Sequence, residues 1–382
     1  MAGLSAERTQ GELLISADSH VIEVPDLWEK GLPRSYSERA PKVYFDERRE
    51  SWMFGSPEVI AQAVGGLFMA GQPPEEIENF RKAGFAAARK GGWDPVQRLE
   101  DMEIDGVSGE VLYPSLGLGL FCMEDAAIQE ACFRVYNDWI IDYCKSARER
   151  LFGIALISSF DMPHAVSELE RCKKAGLRGA MVWQVPHRSL PFSSDHYERL
   201  WAAAQDLDMP VNLHILTGHS ASMHRQTLGG IERYRRSVNQ SGEIADALFD
   251  IIFSGVLERF PRLKIVSVEN EIGWIPYWLA QCDKAFERFR SSQPIAIKKR
   301  PSEYFQRQIY ATFFNDQVGC RMLSWWGMDN CMWSNDYPHQ NSTWPRSREV
   351  IARDLASFSA GDRAKLVRLN VARLYDLKLA MD

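Results

Sequence analysis

Eight short apolar runs, each followed by a helical or inserted segment, constrain the fold of this chain more than any other feature of its sequence. The runs fall at residues 13–17, 107–113, 151–157, 178–183, 210–215, 263–268, 309–314 and 330–333. Between them, apolar residues recur at three- and four-residue spacing, as at Ile128, Cys132, Val135, Trp139, Ile140 and Tyr143 in a helix predicted over 123–148. Asp94 and Pro95 open a helix that runs to about Ile104 and ends at Gly106. Further helices are predicted at 163–175, 194–207, 242–259, 273–290, 317–326, 346–358 and 362–375. Apolar strands alternating with amphipathic helices predict a parallel sheet covered by helices. Eight such units favour a closed (β/α)8 barrel over an open doubly wound sheet. No Gly-rich loop follows the first run, which weakens the dinucleotide-binding form of the open sheet. The 382 residues suffice for one barrel with an insertion. That insertion follows the first strand, at about 24–94, and holds too much Trp, Phe, Tyr and Leu to be a disordered linker.

Composition narrows the partners. The formal net charge is -6, and no basic block occurs, so nucleic acid is not an expected partner. Seven cysteines, an odd number with no CxxC pair, argue against a disulfide framework or a zinc knuckle and for a reducing cytoplasm. The first twelve residues lack the apolar core of a signal peptide. No apolar run approaches the ~20 residues of a membrane span. The expected partner is a small-molecule substrate. The aromatic-rich insertion is the ground for expecting a homodimer.

A barrel of this kind carries its chemistry where the strands end. Asp18 and His20 end the first strand, two residues apart and so on one face. His214 ends the fifth strand, Glu269 and Glu271 follow the sixth, and Asp336 and His339 follow the eighth. If the shared face is the barrel interior, Asp18, His20, His214 and Asp336 reach one point and hold one divalent metal ion. Their mixture of imidazole and carboxylate suits Zn2+ first, with Mn2+ or Fe2+ as alternatives. Each residue alone has an ordinary explanation. A strand-end histidine is commonly a hydrogen-bonded structural group, Asp336 before Tyr-Pro can cap a loop, and Glu269 can belong to an internal ion pair. Convergence from three strands favours the metal. On the substrate side, Trp183, Phe192 and Phe314 are placed to stack on a flat ring, and His219 and His339 to border it. A polar loop at 219–241, with His224, Arg225, Arg233, Arg235 and Arg236, either meets an anion or is simply solvated.

At these residues the chain resembles the amidohydrolase superfamily, in the amidohydrolase-related branch that includes aminocarboxymuconate-semialdehyde decarboxylase and related aromatic-acid decarboxylases. The matching pieces are DSHVIEVPDLW from Asp18, WDPVQRLEDMEIDGV from Trp93, VLYPS from Val111, NLH ending at His214, FPRLKIVSVENEIGW from Phe260 and WSNDYPHQNSTWP from Trp333. The resemblance implies a distorted (β/α)8 barrel with one divalent ion. It implies that Asp18 and His20 stand for the first-strand ligand pair, which is His-x-His in many relatives. It also implies His214 as the fifth-strand ligand, and Asp336 as an aspartate that binds metal and, in hydrolytic relatives, takes the proton of the attacking water. One departure bears on mechanism. The decarboxylases similar to this chain carry a histidine at the end of strand six, where Glu269 stands here. A carboxyl group acts as an acid near neutral pH only if its surroundings raise its pKa. Two reactions are therefore expected. Hydrolysis of an amide, ester, lactone or thioester by metal-activated water stands first, with Asp336 and Glu269 as catalytic residues. Non-oxidative decarboxylation of a small aromatic or unsaturated acid is the alternative. A barrel that has lost its metal and its activity is the third reading.

Overall fold

The computed structural model describes residues 11–219 and 230–378. Its first strand, β1, spans Ile15–His20. The insertion follows, and it is ordered. β2 (Lys42–Asp46), β3 (Ser51–Ser56) and β4 (Val59–Ala63) form an antiparallel sheet in that order. Trp28, Phe54 and Phe68 of the insertion belong to the same apolar core as the barrel, and the Trp28 indole donates to the Cys132 carbonyl at 3.1 Å. The apolar content that argued against a linker is thus spent in packing.

Seven further parallel strands complete the barrel: β5 (Gly109–Tyr113), β6 (Leu151–Leu156), β7 (Gly179–Val182), β8 (Val211–His214), β9 (Ile265–Val268), β10 (Ile309–Phe313) and β11 (Cys331–Trp333). They pair in chain order from β1 to β11. Every residue in these eight strands is buried, which is why they read as continuous apolar runs. The ring is nearly closed. Between its first and last strands the joining bonds come from the end of β1 and the segment after β11: Asp336 N–H donates to the Asp18 carbonyl at 3.1 Å and His20 N–H to the Tyr337 carbonyl at 2.7 Å.

Helices α1 (Pro95–Asp105), α2 (Ala126–Cys144), α3 (Met162–Ala175), α4 (Glu198–Asp206), α5 (Ile231–Phe253), α6 (Ile275–Phe289) and α7 (Gln317–Trp326) surround the ring. Asp94 caps α1 by accepting from Val96 and Gln97, and Gly106 ends it in the left-handed conformation, as the sequence predicts. Two expectations need correction. The first strand extends through His20 rather than stopping at Ala17, because Ser16, Ser19 and His20 Nδ1 find partners inside the barrel. The stretch read as a loop up to Ser241 is helical from Ile231 onward. Its first turns carry Ile231, Tyr234 and Val238 at helical spacing but exposed, a sparse signal among the arginines and polar residues around them. His224 and Arg225, and the side chains of Arg233 and Arg236, lie outside the described residues. The described cysteines are all free thiols. Among the described residues no helix is long and apolar enough to cross a membrane.

Candidate metal centre

β1 reaches the barrel mouth through an irregularity. Its register with β5 slips between Ser16 and Ser19. The Ser19 hydroxyl donates to Asn335 Oδ1 at 2.8 Å, and Asn335 N–H donates to Ser16 Oγ at 2.9 Å. From α1, buried Arg98 pairs with Glu110 and donates from Nη1 to the His20 carbonyl at 2.7 Å. β8 ends on His214 itself. Glu269 follows β9 with φ 58° and Asp336 follows β11 with φ 54°. Left-handed backbone is costly for residues with a Cβ and is concentrated at functional sites. Here it ends both strands with carboxylates at the same mouth.

The side chains meet closely. His20 Nε2 lies 3.5 Å from Asp18 Oδ1, 3.4 Å from Asp336 Oδ1 and 3.7 Å from Glu269 Oε2. His214 Nε2 lies 3.7 Å from Asp18 Oδ1 and 3.5 Å from Glu269 Oε2. One donor atom from each of Asp18, His20, His214 and Glu269 lies within 4.8 Å of all the others, and a second such group joins His20, Glu269, Asp336 and His339.

The remaining ring nitrogens fix the tautomers. His20 Nδ1 is 2.7 Å from the Pro114 carbonyl, and His214 Nδ1 is 2.9 Å from the Ile215 carbonyl. A carbonyl only accepts, so both Nδ1 atoms carry a proton, and in the neutral rings that a metal requires both Nε2 atoms present lone pairs. Those lone pairs face carboxylate oxygens. Both Nε2 atoms and both Asp18 oxygens are buried without a hydrogen-bond partner, at a cost on the order of 1–3 kcal/mol each. A cation between them removes the conflict. Metal bonds of about 2.0–2.2 Å separate ligand atoms by roughly 2.8–3.6 Å between right and tetrahedral angles, and the spacings found here lie at or just above the upper end of that range. The residues present therefore fit one divalent ion.

The protonation pattern follows from burial and neighbours. Burial would raise Asp18, but His20 and His214 outweigh it and hold its carboxyl well below the usual range. Burial, then the charge of His339, pushes His20 down to about 4. His214 is raised, because Asp18 and Glu269 overcome its burial. Burial, followed by the charge of Asp336, lifts Glu269 well above an ordinary carboxyl. Burial lifts Asp336 to about 8 against the pull of His20. His339 leans on the same group, with Nδ1 3.0 Å from Asp336 Oδ1. The Ser115 hydroxyl donates to the Val21 carbonyl at 2.7 Å, so it accepts from His339 Nε2 at 2.9 Å. His339 Nδ1 is thus bare toward Asp336, and a proton on the aspartate would lie between them.

Other predicted residues fall elsewhere. Trp183 is fully buried and donates to the Tyr197 hydroxyl at 3.0 Å. With Phe160, His187 and His219 it forms a ring cluster, in which His219 Nδ1 is 3.2 Å from Glu124. Phe314 is buried, and its backbone N–H faces Glu271. Glu23 accepts from the backbone of Ser115, Leu116 and Gly117 and so anchors the loop after β5. Sequence reasoning missed Arg98, which carries no signal inside a helix, and Asn270, whose only signal is its place beside Glu269. Glu269, Asn270, Glu271, Trp274 and Asp316 line a cavity of 320 Å³.

Comparison with known proteins places this architecture. The amidohydrolase family model matches residues 85–377. The chain is 28% identical over 258 residues to γ-resorcylate decarboxylase of Rhodococcus jostii (strain RHA1), covering 63% of this chain and 75% of that one. It superposes with a TM-score of 0.75 on an amidohydrolase of Mycobacterium avium subsp. paratuberculosis K-10, at 19% identity and with 96% and 99% of the two chains covered. A dihydroxybenzoic acid decarboxylase of Polaromonas sp. JS666, solved with bound manganese and the inhibitor 2-nitroresorcinol, gives a TM-score of 0.67 at 18% identity, covering 96% and 97%.

Proposed function

The chain belongs to the amidohydrolase family and is an enzyme of it, and on that premise we propose that it is a metal-dependent decarboxylase of a small aromatic acid. The observation that carries this reading is the convergence of donor atoms from Asp18, His20, His214 and Glu269, with Asp336 joining His20 and Glu269 in a second group; the facing atoms of Asp18, His20, His214 and Asp336 are buried without a hydrogen-bond partner, and Glu269 borders a cavity. The relatives support the choice of reaction, since the Rhodococcus protein acts on γ-resorcylate and the Polaromonas protein on dihydroxybenzoic acid. Decarboxylation therefore moves ahead of hydrolysis, which the sequence alone put first. The manganese of the Polaromonas protein supports Mn2+ over Zn2+ for an imidazole–carboxylate set that accepts either.

Asp18, His20, His214 and Asp336 hold the ion in this reading, and Glu269 is the acid. The ion would supply positive charge that orients the substrate carboxylate and an adjacent ring oxygen and stabilises negative charge as the ring loses aromaticity. The Glu269 side chain keeps 19% exposure, against 1% for Asp336, so it faces both the donor cluster and the cavity. In the metal-free centre burial, then Asp336, raises its carboxyl well above the ordinary range, and in this reading it still carries that proton beside the ion. Glu269 gives that proton to the ring carbon that bears the carboxylate. The bond from that carbon to the carboxylate breaks, its electron pair returns to the ring, CO2 leaves, and Glu269 regains a proton from water. Burial thus lends a glutamate the acidity that an imidazolium would otherwise provide.

The test is to load the protein with Mn2+ and supply hydroxybenzoic acids or, separately, activated esters and lactones. CO2 release from at least one 2-hydroxybenzoic acid, without acid release from the esters, is expected. Ester or lactone cleavage without CO2 would return hydrolysis to first place.

A further inference from the structure

Two buried amides beside the metal centre have hydrogen-bonding capacity left over. Asn270 Nδ2 donates to the Val268 carbonyl at 2.8 Å and to Gln184 Oε1 at 2.9 Å. The carbonyl of Val268 can only accept, so it fixes which end of the Asn270 amide is nitrogen, and this in turn fixes the Gln184 amide. Gln184 Nε2 and Asn270 Oδ1 are left buried without a partner. Gln184 is fully buried and Asn270 is 5% exposed. Gln184 follows β7 and Asn270 follows β9, strands that are not neighbours but flank β8. Their mutual hydrogen bond therefore crosses the end of β8, where His214 sits. The Gln184 backbone is tied there too, since its N–H donates to Thr217 Oγ1 at 2.8 Å and that hydroxyl donates to the His214 carbonyl at 2.6 Å. Asn270 also lines the 320 Å³ cavity next to Glu269.

We propose that Gln184 and Asn270 form a recognition pair for a hydroxyl group on the substrate ring, which accepts from Gln184 Nε2 and donates to Asn270 Oδ1. This inference rests on the aromatic-acid reading and specifies which ring substituent the site selects. A hydroxyl satisfies both unspent atoms at once. A methoxy group accepts but cannot donate, and leaves Asn270 Oδ1 unpaired. A second carboxylate has no proton for Asn270 Oδ1 and would share the cavity with the carboxyl groups of Glu269, Glu271 and Asp316. Among the described lining residues there is no Lys or Arg to receive it. Sites built around a substrate hydroxyl discriminate strongly against analogues that lack it, because their own buried groups are then left unpaired.

The test uses the Mn2+-loaded protein and calorimetric titration with salicylate, the four dihydroxybenzoates that keep the 2-hydroxyl, and the methyl ether of each at its second hydroxyl. At least one dihydroxybenzoate is expected to bind about tenfold or more tightly than its own ether. In Gln184→Leu that gap narrows to about threefold or less. Asn270→Ser is the second variant, should the buried leucine prevent folding, and melting temperature and metal content report the fold in each. Equal binding of every acid and its ether in the wild type, as expected if the amides only hold a permanent water, overturns the proposal. So does a gap that survives in a folded variant. If neither salicylate nor any dihydroxybenzoate binds, the aromatic-acid reading itself falls and the recognition pair falls with it. Binding without a gap removes the recognition pair alone.

Discussion

At Glu269 the protein holds a carboxyl group within 3.5 Å of one imidazole and 3.7 Å of another, at the edge of the cavity. If its proton is the one delivered to substrate, Glu269→Gln keeps bound metal but loses activity by about a hundredfold to ten-thousandfold. Glu269→His, which restores the imidazole type found in similar decarboxylases, should regain part of that loss. A glutamine variant with wild-type turnover would remove Glu269 from the chemistry. His214→Ala and Asp336→Asn are each expected to abolish nearly all activity and to lower metal content in the purified protein. Full activity in either would mean the centre lies elsewhere. Asp336 also sets a pH dependence. Its folded value of about 8 lies above the ordinary 3.8, so in metal-free protein its contribution to stability is fully present below about pH 4 and is lost as pH rises through 8. Urea unfolding of metal-free Asp336→Asn should therefore show a flatter profile between those limits than the parent. An equally steep profile would mean that another group carries the slope.

The helix α1 is the element whose role departs most from its sequence. Its charged residues Arg98, Asp101 and Asp105 are buried, while its apolar Val96 and Ile104 are 62% and 56% exposed. The buried polar face holds both ends of the barrel. Arg98 reaches the His20 carbonyl, Asp101 accepts from the Tyr337 hydroxyl, and Asp105 accepts from Asn335 and Ser347. Breaking the buried Arg98–Glu110 pair on one side only should cost about 3–5 kcal/mol. Arg98→Leu is thus expected to destabilise the protein more than Arg98→Leu combined with Glu110→Leu, by denaturant unfolding. The reverse order would mean that the pair is not the source of the loss. The strand and helix pattern was readable because burial of entire strands leaves apolar runs, and because Asp94 and Gly106 carry local capping chemistry. The polar interior was not, since nothing along the chain distinguishes a charge facing solvent from one facing Tyr337. For the centre, spacing pointed to Asp18, His20, His214 and Asp336, and the geometry groups the first three with Glu269 and sets Asp336 beside His20 in a second group. The approach of Glu269 depends on a left-handed turn that no residue type announces.

For the molecule as a whole, a ligand that binds only the folded state adds stability by mass action. Metal at a hundred times its dissociation constant should add about 2.7 kcal/mol, seen as a rise of several degrees in melting temperature. No rise with Mn2+ or Zn2+ would argue against a centre of the kind described. Ring closure has a mechanical side as well. The last strand is three residues long, and the bonds from Asp336 to Asp18 and from His20 to Tyr337 join it to the first. The residues on both sides of that join are the ones offered to the cation, so an ion would rivet the weakest stave of the cask to its neighbour. Amide exchange at His20 and Asp336 should then slow on metal loading more than exchange anywhere else around the hoop, so that filling the catalytic centre and tightening the wall become a single event.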